Sequence, residues 1–203
     1  MTQADITAKA SANYDAPRTR LCAGVSVADN PLITAVIEYA RRISEPYLFN
    51  HAMRSWLFAE AIGRVKGIDY DHEVVAIGTI LHDIGLTASV SGPNRFEANG
   101  ADAAVSFIKG HGVTDRRAQM IWDLVALNST PSLALHKDSE VAVGTMGIGL
   151  DYGGFDVQAL PSADVERILS AASGSYLATH PCQRSIVDER SVRRIAIDAF
   201  PRK

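Results

Sequence analysis

The chain has 203 residues, 47% of them hydrophobic and 21% charged, with a net charge of −3. That length suits one domain with a substantial core, and the near-neutral balance gives no global attraction to nucleic acid or to an anionic membrane surface. No apolar run reaches the roughly 18–20 residues that a membrane span needs.

Residues 1–29 carry little periodicity and are expected to form an irregular N-terminal arm. Asp5, Lys9, Asp15, Arg18 and Arg20 leave this segment without a secretory apolar core. Cys22 and Cys182 lack a metal-type spacing and read as two reduced thiols of a cytoplasmic protein, with a disulfide between them as the alternative.

From Pro31 the pattern is helical. "PLITAVIEYARRI" and "EPYLFNHAMRSWLFAEAIGRVKG" repeat apolar residues at three- and four-residue spacings, each with a proline near its start. Gly67 suits the end of the second. Asp71 is a cap for "HEVVAIGTILHDIG", with Gly85 as its stop, and Thr114 for "TDRRAQMIWDLVALN". "NRFEANGADAAVSFIKGHG" and the glycine-rich "SEVAVGTMGIGLDYGG" read as further helices, "SADVERILSAAS" and "VDERSVRRIAIDAF" as terminal ones. No segment shows sustained strand alternation or a hairpin signal. The expected fold is therefore all-α: one helical domain over residues 30–203, its motifs within about 30–155.

The chemistry concentrates at His82 and Asp83, adjacent at the end of an apolar run. A carboxylate following "AIGTIL" is costly to desolvate unless paired, and a divalent cation beside the helix end would pair it. His51, in the middle of "YLFNHAMRSW", and Asp151, at the end of "GTMGIGLD", are the other candidate ligands. Taken singly, His51 reads as a core histidine and Asp151 as a helix-terminal hydrogen-bonding residue. In the order His, His-Asp, Asp on separate apolar helices, they suit a borderline divalent ion with open positions.

That order, with "FNHAMRSW", "LHDIGLT", "RFEANGADAAVSFIKGHGV", "ALNSTPSLALHK" and "GIGLD", resembles the HD superfamily of metal-dependent enzymes, in particular the subgroup that includes cyanamide hydratase. The resemblance implies that His51, His82, Asp83 and Asp151 hold one divalent metal (Zn, Fe or Mn). It implies a hydratase-like reaction on a nitrile- or cyanamide-type substrate, with the metal activating water. An HD phosphohydrolase acting on a nucleotide or other phosphate ester is the alternative, and a non-catalytic metal-binding regulatory module is another. Two positions depart from the pattern. Leu86 follows the glycine where many multi-metal HD phosphohydrolases carry lysine, and Asn128 stands where the hydratase-like subgroup commonly carries histidine.

Arg54, Glu97, Asn128 and His136 complete the candidate catalytic or substrate-contacting residues. Three of them have a plainer reading: Arg54 pairs with an acid, Glu97, like Asp102, favours a helix start, and His136 faces solvent from a loop. His111 suits a helix C-terminus, His72 and His180 the surface, and Trp56 and Trp122 the core. Only Arg54, Arg95 and Lys137 are cations near the motifs. The expected partner is a small molecule, with no nucleic acid and no membrane; a homo-oligomer stays open.

Overall fold

The computed structural model describes residues 19–171. The helix expected over "VDERSVRRIAIDAF" falls outside them, as do His180, Cys182 and residues 1–18. Eight α-helices follow a two-stranded hairpin among the described residues. They are α1 (Pro31–Ile43), α2 (Pro46–Lys66), α3 (His72–Leu81), α4 (Phe96–Ile108), α5 (Asp115–Ala126), α6 (Pro131–Ala134), α7 (Ser139–Gly153) and α8 (Ser162–Ala171). The described chain is mostly α-helical, as expected.

Local chemistry explains the helix starts. Asn30 accepts a hydrogen bond from the Ile33 amide (2.9 Å), with Pro31 in the first turn. Asp71 accepts from the Glu73 and Val74 amides at 3.0 and 3.2 Å. Thr114 occupies the cap position of α5, but its hydroxyl makes no capping bond.

The hairpin corrects the expectation of an irregular arm. Strands β1 (Thr19–Cys22) and β2 (Val25–Ala28) pair antiparallel within that segment. Ala23 and Gly24 form the connection with φ of 50° and 77°. Two positive φ values in a two-residue loop match the twist of the flanking strands. The strands escape detection because each has four residues and Ala-Gly is a weaker turn signal than Asn-Gly. Val25 and Val27 are buried, seating β2 on the core beside α2 and α3.

Helix α3 is the centre. Every residue from Val74 to Leu81 is buried, and the helix packs on α1, α2, α4, α5 and α7. A helix apolar on all sides needs neighbours on all sides. Its end is therefore a buried place, and His82 sits there as the C-cap. The α-helix ends before Gly85, so that glycine is not its terminator. Gly85 lies in a 3₁₀ turn (Ile84–Leu86), where an added Cβ would come within 1.9 Å of the Phe96 carbonyl oxygen. It is glycine because the start of α4 packs directly on it.

Helices α2 and α7 also pack closely. A Cβ at Gly147 would lie 2.4 Å from the Ser55 carbonyl oxygen. This approach brings His51 of α2 against Asp151 of α7.

Candidate metal centre

Three elements deliver the cluster: His51 from α2, His82 and Asp83 from the end of α3, and Asp151 from α7. His51 Nε2 lies 3.1 Å from His82 Nε2 and 3.7 Å from Asp83 Oδ2. Asp83 Oδ2 lies 3.1 Å from His82 Nε2. His82 is buried and the Asp83 side chain is 15% exposed. Three ligand atoms thus face one point, all within 4.8 Å of one another.

The outward hydrogen bonds decide which atoms face inward. His82 Nδ1–H donates to the Thr79 carbonyl at 2.8 Å, which leaves Nε2 toward the cluster. His51 Nδ1–H donates to Asp151 Oδ2 at 2.6 Å, which leaves its Nε2 there too. Fixing the tautomer through the opposite ring nitrogen is how metal-binding histidines are oriented. Two imidazole lone pairs and a carboxylate oxygen facing one another need a cation between them: a proton, or a divalent ion that all three share. The protonation preferences agree. Burial disfavours charge on both His82 and Asp83, but their mutual attraction prevails, raising the His82 pKa and lowering that of Asp83. The donor set, two nitrogens and one oxygen, fits Zn, Fe or Mn with positions left for water and substrate.

Asp151 stands behind these three. Its side chain is 1% exposed, and Arg54 grips it through Nε to Oδ1 (2.6 Å) and Nη2 to Oδ2 (3.0 Å). Burial opposes its charge, but the bonds from His51 and Arg54 prevail and lower its pKa. Both oxygens accept these bonds, which places Asp151 to orient His51, and its oxygens are not among the three atoms that converge. Its remaining lone pairs leave the expected role of fourth ligand open to it. Arg54 has the acid partner its plainer reading gave it.

The other candidates lie around this centre. The Asn128 amide nitrogen donates to the His82 carbonyl (2.8 Å) and the Val125 carbonyl (3.0 Å). It ties the end of α3 to α5, and its N–H groups are spent on main chain. Glu97 is buried, accepting from Arg95 and from Ser129 Oγ (2.5 Å). Mainly through Arg95, with Ser129 helping, its pKa is held at about 2 against the cost of burial. Ser129 had no sequence signal: it lies 32 residues from Glu97, and only its place beside Asn128 hinted at the site. His136 is exposed in the turn after α6 and is not among the converging atoms.

Trp56 is fully buried, whereas Trp122 is half-buried and donates to Asp102. His111 is exposed, with Nδ1 bonded to the Phe107 carbonyl at the end of α4. His72 is exposed as expected, yet its Nδ1 meets the buried Glu60 at 2.7 Å.

No family model matches the chain, and no curated protein matches it.

Proposed function

We propose that this chain is a metal-dependent enzyme of the HD type that activates water for attack on a small, weakly charged substrate, in a hydratase-like reaction on a nitrile or cyanamide-type carbon. The observation that supports it most is the convergence of His51 Nε2, His82 Nε2 and Asp83 Oδ2, each imidazole held in the ligating tautomer from behind. A divalent ion held by these residues would lower the pKa of a bound water and polarise an electrophile beside it.

The protein's own groups supply rigidity. Arg54 fixes Asp151, Asp151 fixes the His51 ring, and Asn128 holds the His82 carbonyl. Preorganisation of this kind keeps the reacting groups in place without reorganisation during reaction.

The engagement of Arg54 favours a hydratase over a phosphohydrolase. Arg54, next to the cluster, has a side chain only 14% exposed and is held by both oxygens of Asp151, whereas Arg95 and Lys137 pair with carboxylates at exposed positions away from the converging atoms. A phosphate ester would need such charges turned to its oxygens. No helix among the described residues is long and apolar enough to cross a membrane.

The test is a two-class substrate screen of protein loaded in turn with zinc, ferrous iron and manganese. Cyanamide and small nitriles are followed by product formation, and nucleotide monophosphates by phosphate release. Hydration that disappears in Asp83→Ala is the expected result. Phosphate release dependent on Asp83 would move the assignment to the phosphohydrolases, and turnover of neither class would favour a regulatory module.

A further inference from the structure

A cleft of about 500 Å³ opens beside the start of α4, lined by Arg95, Glu97, Ala98, Ala126, Ser129 and Thr130. Its charged groups are unequal in burial. The Glu97 side chain is 4% exposed, whereas that of Arg95 is 80% exposed. Arg95 nevertheless presents a fork, Nη2 to Oε1 at 2.6 Å and Nε to Oε2 at 3.2 Å.

A buried carboxylate requires hydrogen-bonded cationic company, and two parallel N–H donors on a planar cation satisfy both its oxygens at once. An exposed arginine gains little from staying in such a pair, since solvent and lost side-chain freedom offset the attraction. The carboxylate is thus fixed and its cation exchangeable. Ser129 Oγ donates to Oε1 and steadies the acceptor whichever cation is present. Ala98 and Ala126 add small apolar side chains to the lining.

We propose that this cleft binds a small planar guanidinium or amidinium cation, which forks onto Glu97 by displacing the Arg95 side chain. Arg95 is a tethered stand-in for the ligand, competing at the effective concentration its short tether gives it. In the resting pair Arg95 is the main group that keeps Glu97 ionised, with Ser129 helping, and an incoming planar cation takes over that role. Binding here needs no metal.

The experiment is calorimetric titration of the full chain, kept in chelator, with low-millimolar methylguanidinium and acetamidinium chlorides at constant ionic strength. Tetramethylammonium, a cation without N–H donors, is the control. Wild type should bind both planar cations weakly, and Arg95→Ala should bind them at least about tenfold more tightly once the tethered competitor is gone. Glu97→Gln should not bind. Amide chemical shifts of Arg95→Ala provide a second reading, independent of whether Glu97→Gln folds: Ala98, Ser129 and Thr130 should move together with ligand. Equal binding of tetramethylammonium, no gain in Arg95→Ala, retained binding in a folded Glu97→Gln, or unmoved shifts at those three residues would each overturn the proposal.

Discussion

At the scale of single residues, the informative position is Asp151. A carboxylate at the end of an apolar helix reads from sequence as a ligand, because a metal is one way to neutralise it. Arg54, three residues beyond His51 on α2, is a second way to neutralise it, and the same carboxylate accepts from the His51 ring. The two roles differ in what Asp151→Asn does. As an orienting group its loss should weaken zinc by about 10–100-fold, the usual range for a partner behind a ligand. As a direct ligand its loss should abolish stoichiometric binding. We expect the graded loss, measured by competition against a chromophoric chelator. The same variant leaves the half-buried Arg54 unpaired, which should destabilise the fold by about 3 kcal/mol in urea unfolding.

At the scale of elements, α3 carries the account, since its C-terminal end presents His82 and Asp83 and its N-terminal end is anchored by Asp71. That carboxylate caps the helix and receives a fork from Arg117 of α5, Nε to Oδ2 at 2.7 Å and Nη2 to Oδ1 at 2.8 Å. Burial opposes its ionisation, but the Arg117 fork and the capping amides prevail and lower the pKa. A group whose folded pKa is depressed contributes stability that is present above its unfolded value, near 3.9, and is lost as pH falls through the folded one. Asp71→Ala should therefore cost about 1 kcal/mol or more at pH 7, the scale of a lost N-cap. The gap from wild type should narrow on acidification below about pH 4. Urea midpoints at pH 7 and pH 3 check this; an unchanged gap would show that the ionised cap is not what anchors α3.

At the scale of the whole molecule, the helices were legible because each signal is local. Pro31, Asn30 and Asp71 act within one turn of themselves, and the uniform apolarity of "VVAIGTIL" marks a central helix without reference to any partner. The cluster was legible for a related reason: His82 and Asp83 are polar where burial makes polarity costly, and such residues must have company. What was not legible depends on long-range geometry. The Arg54–Asp151 pair spans 97 positions, the Ser129–Glu97 bond 32 and the Asn128 tie to His82 46. No local pattern distinguishes a carboxylate that faces two histidines from one that meets an arginine. The hairpin at Thr19–Ala28 was missed for the opposite reason, being too short for its alternation to register.

The central claim is that His51, His82 and Asp83 share one divalent ion. Elemental analysis of zinc-loaded wild type and Asp83→Ala tests it most directly, with thermal unfolding in the presence and absence of chelator as the linked readout. A metal that binds only the folded state stabilises it by about 2.7 kcal/mol at roughly a hundredfold excess over its dissociation constant. Wild type should carry one equivalent and unfold at a lower temperature once chelated, while Asp83→Ala should carry none and be indifferent to chelator. One full equivalent in Asp83→Ala, with the same chelator response as wild type, would contradict the claim.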